Sequence, residues 1–170
     1  MKVAACELCE SDGGEILFRH DDYRIVRVTS AESNIYRGFC RVIWNHHVKE
    51  MSDLADEQRH TLMAAVFRLE AALRTALKPD KINLASLGNM TPHVHWHVIP
   101  RFRNDETFPQ PIWAAIKSAP VEPALIPASS LENQSSGFNV DWIQDVRCAL
   151  MDGELVQPHA NGTKTANCNS

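Results

Sequence analysis

Alternating apolar positions divide the first two thirds of the chain into short strands. Two runs within residues 15–28, EILF and YRIVRV, flank the polar turn HDD and predict a β-hairpin. GFCRVIW at 38–44 is apolar and aromatic and predicts a third strand. KINLASLG at 81–88 and HVHWHVIPRF at 93–102 predict two more strands, joined by a turn at 89–92. We therefore expect about five strands.

One long helix is predicted between the third and fourth strands. Ser52 and Asp53 are residue types that cap helix N-termini, and Pro79 is expected to close the helix. The apolar stripe of this helix advances in steps of three or four, through Leu62, Val66, Leu69, Leu73 and Leu77. Such a stripe packs on one face of a sheet. Strands, a long helix and further strands together predict an α+β fold with an antiparallel sheet.

The composition changes at about residue 118. SAPVEPALIPASSLENQSSG is rich in Pro, Ala and Ser, which predicts a linker. FNVDWIQDVRCALM at 138–151 predicts one short amphipathic helix, and about the last 18 residues are expected to be disordered. The chain is thus predicted to contain one domain at 1–117 and an appendage at 118–170.

Charge and apolar content argue against several classes of partner. The formal net charge is -4 and the pI is about 6.0, so neither nucleic acid nor an anionic membrane is the expected partner. No apolar run approaches the ~20 residues of a membrane span. The N-terminal MKVAACELCE lacks the apolar stretch of a secretory signal. We therefore expect a cytoplasmic protein whose five cysteines are reduced.

Three histidines occupy alternate positions in PHVHWHVIPR at 92–101. In a strand, His93, His95 and His97 share one face, about 6.6 Å apart in succession, while Val94 and Trp96 share the other. A single histidine in a strand usually has a structural role, but three in strict alternation favour chemistry. A metal centre and nucleophilic attack on phosphorus by a neutral imidazole both suit this row. Spacing alone does not separate these two interpretations.

HVHWHVI resembles the pattern His-φ-His-φ-His-φ-φ of the histidine triad (HIT) superfamily of nucleotide hydrolases and transferases. The PRF that follows resembles the fragile-histidine-triad branch, which includes dinucleoside polyphosphate hydrolases. The segment RGFCRVIWNHHVKEMSDL is similar to the family's region before its long helix, and the likeness spans roughly residues 3–115. It implies a HIT-like fold, a nucleotide substrate and a homodimer.

The resemblance also implies a role for each histidine of the row. His95 would be the nucleophile on the α-phosphorus, His97 would bind the phosphate and help the leaving group depart, and His93 would orient the row. The resemblance further implies that Asn83 lies near the phosphate, and Thr91 or Asn89 is a candidate for another polar contact with the substrate. Beyond the strand, Arg101 and Arg103 are candidates for holding a polyphosphate tail.

The implied activity is hydrolysis of a dinucleoside polyphosphate, such as diadenosine tetraphosphate, through a covalent nucleotidyl-histidine. It acts on phosphoanhydride or phosphoramidate bonds and requires no catalytic metal. Two alternatives stay open. In one, the three histidines hold zinc in a zinc-dependent hydrolase, which a chelator would inactivate. In the other, the chain is a nucleotide-binding regulatory protein with little turnover.

Cys6 and Cys9 have the spacing of a zinc knuckle, which needs two further ligands. Some bacterial histidine triad proteins bind structural zinc through such a pair, a histidine before the long helix and the first histidine of the row. By that resemblance His47 and His93 complete the site, and His46 replaces His47 if the register slips. The resemblance thus implies a structural zinc beside the catalytic row.

Overall fold

The computed structural model of the chain describes residues 3–30, 35–115 and 141–152. The helices in these ranges are α1 (Glu7–Glu10), α2 (Asp56–Leu77) and α3 (Asp141–Asp152), with a short 3-10 turn at Met51–Asp53. The strands are β1 (Glu15–Arg19), β2 (Tyr23–Arg27), β3 (Cys40–Trp44), β4 (Lys81–Ala85) and β5 (His95–Arg101). The α+β class and the five-stranded sheet predicted from the sequence are confirmed.

The five strands form one sheet in the order β1-β2-β3-β5-β4, and every neighbouring pair is antiparallel. The strand of the histidine row, β5, is therefore hydrogen-bonded on both edges, to β3 and to β4. The register places Arg41 of β3 and Ala85 of β4 opposite His97. Ladders on both sides thus hold the row in one orientation.

One face of the sheet packs against α2, as the apolar stripe predicts. All five stripe residues are buried in a single core with Val94 and Val98 from the histidine strand. The helix begins at Asp56 rather than directly after Ser52 and Asp53, because these two residues lie in the 3-10 turn. The Gln58 side chain instead accepts a hydrogen bond from the Ala55 backbone N–H at the N-terminus.

The C-terminal helix α3 packs against the same core. It contacts α2 and β1, and it buries Trp142, Ile143, Val146 and Leu150. Arg147 of α3 also forms an ion pair of 3.0 Å with Glu15. The predicted short helix is thus present, while the predicted linker before it and the predicted disordered tail lie outside the described residues. None of the described helices is long and apolar enough to cross a membrane.

Among the described cysteines, Cys6, Cys9 and Cys40 are free and buried. Cys148 on α3 is disulfide-bonded. The expectation of reduced cysteines therefore holds for the first three and is wrong for Cys148.

Gly38, which precedes β3, is expected to tolerate no side chain. Its φ is +79°, and an added Cβ would overlap the Cδ1 atom of Leu77 and lie 3.2 Å from Cγ of Pro100. We expect Gly38→Ala to lower the free energy of unfolding by about 1–3 kcal/mol, measured by urea denaturation. Gly88→Ala is the matched control, because the nearest atoms to its Cβ would be 3.9 Å away. Equal stability of the two variants would contradict this explanation.

Candidate active site

The histidine row lies on the face of the sheet opposite α2. His95 and His97 belong to β5 and His93 precedes it by two residues, and all three are buried, at 0–6% exposure. The rings of His95 and His97 meet edge to face, with centroids 4.8 Å apart. Two small apolar clusters flank the row on this face, one around α1 and one around Phe39. The row is therefore held in a cleft with apolar walls.

A backbone hydrogen bond sets the tautomer of His95. Its Nδ1 lies 2.6 Å from the carbonyl oxygen of His93. Because a carbonyl only accepts, Nδ1 carries the proton and Nε2 keeps its lone pair. Burial lowers the pKa of His95, and the charge of Arg41 lowers it further. His95 is thus a neutral imidazole whose Nε2 is available as a nucleophile.

His97 is also neutral, but its ring has different surroundings. Burial, with smaller contributions from His95 and Arg41, lowers its pKa to about 3. Its Nδ1 is buried and has no hydrogen-bond partner in the described part of the chain. A buried N–H without an acceptor costs about 1–3 kcal/mol, so we place the proton on Nε2. Phe39 and Trp113 hold the ring, with centroids at 5.6 and 5.2 Å.

The depressed pKa of His97 predicts an acid-sensitive stability. Between pH 6.5 and about 3 the unfolded chain binds a proton at this residue that the folded chain does not bind. The free energy of unfolding should therefore fall as pH falls below 6.5, by up to about 1.4 kcal/mol per pH unit from this group. Urea denaturation at pH 7, 6 and 5 should show a smaller slope for His97→Asn than for the wild type. Equal slopes would refute the assignment.

His95 and His97 open onto a cavity of about 400 Å³. Two of the three predicted substrate residues, Asn89 and Thr91, line it. The third, Asn83, does not: it lines a neighbouring cavity of about 660 Å³, and Trp113 lines both cavities. The structure therefore brings Asn89 and Thr91 to the row and separates Asn83 from it.

The two arginines considered for a polyphosphate tail do not line this cavity. Arg101 is 1% exposed, pairs with Asp105 at 2.8 Å and donates to Asn83 Oδ1 at 3.0 Å. It also donates to Gln110 O and to Thr107 Oγ1, so its guanidinium is committed to holding the loop after β5. Arg103 is exposed and pairs with Asp80 at 3.2 Å.

Arg41 is the cation that the sequence did not single out. It lies directly opposite His97 in the ladder and lines the histidine cavity. It also lines an adjoining cavity of about 660 Å³, which shares Glu7 with the first. The available signal was a charge inside the apolar strand GFCRVIW. Only the strand pairing shows that this charge faces the row.

A second cluster forms where the N-terminal knuckle meets the row. The ligand atoms of Cys6, Cys9, His47 and His93 all lie within 4.8 Å of one another. The Cys6 sulfur is 3.4 Å from His93 Nδ1, and the Cys9 sulfur is 3.4 Å from His47 Nδ1. Sulfur and nitrogen ligands of a tetrahedral zinc lie about 3.5 Å apart, so this donor set fits zinc. The exposed His46 is not part of the cluster.

His93 connects the cluster to the row. Its Nε2 lies 2.7 Å from the carbonyl oxygen of Trp44, so Nε2 carries the proton and Nδ1 directs a lone pair at the sulfurs. His95 and His97 take no part in the cluster, and Nδ1 of His95 is already bonded to a carbonyl. The geometry thus separates one candidate metal ligand, His93, from two histidines that face the cavity, and it does not favour a metal bound by all three.

A family model and several solved structures match this chain. A family model described as HIT domain matches residues 14–104. A histidine triad protein from Bradyrhizobium japonicum has a TM-score of 0.60 at 23% identity, over 82% of this chain and 92% of that chain. A hypothetical histidine triad nucleotide-binding protein from Sulfolobus tokodaii has a TM-score of 0.53 at 14% identity, over 88% and 92%.

A Zn-bound histidine triad family protein from Mycobacterium smegmatis has a TM-score of 0.52 at 18% identity, over 89% of this chain and 95% of that chain. At these identities the solved structures show a shared fold. Among proteins of curated function, none matches the sequence significantly.

Proposed function

The chain belongs to the HIT domain family, and we propose that it is a nucleotide hydrolase acting through a covalent nucleotidyl-histidine. The observation that carries this proposal is the hydrogen bond from His95 Nδ1 to the His93 carbonyl, which leaves Nε2 nucleophilic beside a cavity. The proposed substrate class is a dinucleoside polyphosphate such as diadenosine tetraphosphate. The PRF sequence at 100–102 supports this class by its resemblance to the fragile-histidine-triad branch.

The proposed reaction proceeds in two displacements. His95 Nε2 attacks the α-phosphorus, a P–N bond forms, and the P–O bond to the leaving phosphate chain breaks. The negative charge of bound phosphate raises the low pKa of His97, which allows this residue to bind the phosphate as a cation and to pass a proton to the leaving oxygen. Water then attacks the phosphorus and passes a proton to His97, and the P–N bond breaks, which releases a nucleoside monophosphate and restores neutral His95.

The zinc that the donor set suits would have a structural role. We propose that Cys6, Cys9, His47 and His93 hold it, tying α1 to the edge of the row. Arg24 supports this arrangement, because its guanidinium donates to the carbonyl oxygens of Leu8 at 2.7 Å and of Asp12 at 2.9 Å. No step of the reaction requires the metal, since the nucleophile and the acid are both imidazoles.

The homodimer and the cytoplasmic location stay predictions. Light scattering coupled to size exclusion would test the first. The free thiols of Cys6, Cys9 and Cys40 support a reducing location, whereas the disulfide at Cys148 does not.

The function is tested with a panel of dinucleoside polyphosphates and an adenosine phosphoramidate, with and without a chelator. We expect release of a nucleoside monophosphate, and a nucleotidyl adduct on the protein in intact-mass spectra of quenched reactions. Tight binding of the whole panel without turnover would replace the proposal with the regulatory alternative. Complete loss of turnover in chelator, with the circular dichroism spectrum unchanged, would favour a metal-dependent hydrolase.

A further inference from the structure

Arg41 lies beside the two histidines that face the cavity. It sits opposite His97 across the β3–β5 ladder, and directly paired residues on one face of a sheet have Cβ atoms about 4.5–5.5 Å apart. It lines the cavity of the two histidines and the adjoining cavity that also contains Glu7. Arg41 therefore lies at the junction of two cavities, one beside His95 and His97 and one that adjoins it.

The position of Arg41 matters because few charged residues line the histidine cavity. Of the described residues that line it, Arg41 is the one Lys or Arg. The imidazoles of His95 and His97 are both buried, at 5–6% exposure, and neither carries the permanent charge of a guanidinium. The carboxylate of Glu7 contributes negative charge to the same lining. An incoming phosphate thus meets one permanent positive charge, and that charge belongs to Arg41.

We propose that Arg41 is a substrate-binding residue whose guanidinium holds non-bridging oxygens of the phosphate attacked by His95. This inference rests on the proposed function. Arg is suited to the task, because its planar N–H groups bind phosphate in a bidentate manner. A fixed guanidinium beside the phosphorus stabilises the charge that builds up during displacement. Arg41 should accordingly favour nucleotides over uncharged nucleosides.

Calorimetric titration with AMP tests the inference on the full chain. We expect Arg41→Gln to weaken AMP binding about 10- to 100-fold, which corresponds to the loss of charge-assisted hydrogen bonds. Arg41→Lys, which keeps the charge but not the fork, should bind with intermediate affinity. Arg74→Gln is the matched control: it removes an exposed arginine of α2, which packs on the other face of the sheet, and should leave AMP affinity unchanged.

The outcomes separate the two proposals. AMP affinity of Arg41→Gln within twofold of the wild type would overturn the inference, as would equal weakening in Arg41→Gln and Arg41→Lys with lowered melting temperatures, which would indicate a structural role. A wild type that fails to bind AMP at millimolar concentration would overturn it as well. If AMP binding depends on Arg41 but no member of the substrate panel is turned over, the inference stands and the proposed hydrolase fails.

Discussion

Replacing His95 by alanine should lower kcat on a dinucleoside polyphosphate by about 10⁴-fold or more, because it removes the atom that forms the covalent bond to phosphorus. The loss should appear in kcat with little change in the affinity for AMP, since His95 is replaced by a smaller neutral group and Arg41 stays in place. Nucleoside monophosphate release measures the first quantity and calorimetry the second. The nucleotidyl adduct should vanish from the mass spectrum at the same time.

The matched control is His60→Ala. His60 is an exposed histidine on α2, which packs on the face of the sheet away from the row. We expect it to turn over substrate like the wild type. A His95→Ala protein that is folded and retains the wild-type rate would rule out the covalent mechanism. Retention of the adduct in that variant would move the nucleophile to another residue.

Replacing Cys9 by alanine should remove bound zinc and much of the stability of the N-terminal region. The Cys9 sulfur lies 3.4 Å from His47 Nδ1 and 3.6 Å from His93 Nδ1. Its loss therefore removes the candidate ligand that is close to both histidines. When free zinc exceeds its dissociation constant a thousandfold, binding stabilises the folded state by about 4 kcal/mol. We expect the variant to lose stability on that scale. Elemental analysis and thermal unfolding measure the two effects.

Cys40→Ala provides the comparison for the metal. Cys40 is likewise a free, buried thiol, but it lies in the core between the sheet and α2. Its replacement removes the same sulfur atom and should cost only about 1 kcal/mol, with the metal content unchanged. A Cys9→Ala protein that still carried one zinc per chain would exclude the proposed ligand set. Equal destabilisation of both variants would show that the cluster contributes packing alone.

Structural elements whose residues follow a regular apolar and polar repeat could be predicted from the sequence. The alternation from His93 to Val98 predicted two faces, and the described strand has them. The stripe from Leu62 to Leu77 likewise predicted the buried side of α2. The spacing of the cysteines identified only Cys6 and Cys9 as candidate metal ligands. The family resemblance supplied the other two candidates, His47 and His93, and the four lie together in the structure.

Features that depend on strand pairing could not be predicted. The family resemblance assigned Asn83 to the substrate, but strand pairing places it where it accepts a hydrogen bond from Arg101 and lines a neighbouring cavity. Arg41 was overlooked for the same reason, since a charge in a strand points to solvent or to a site depending on the register. The packing of α3 on the core is a long-range contact that no local pattern indicates.

The oxygen that sets the tautomer of His95 belongs to the backbone of residue 93, whereas the nitrogen that faces the cysteines belongs to its side chain. Any amino acid at position 93 would keep the backbone oxygen that sets the His95 tautomer, but few would keep a side-chain nitrogen that faces the cysteines. A substitution of His93 can therefore alter the proposed metal site while the proton on His95 Nδ1 stays in place. The tautomer of the proposed nucleophile therefore depends on the backbone path of the strand and not on the side chain at position 93.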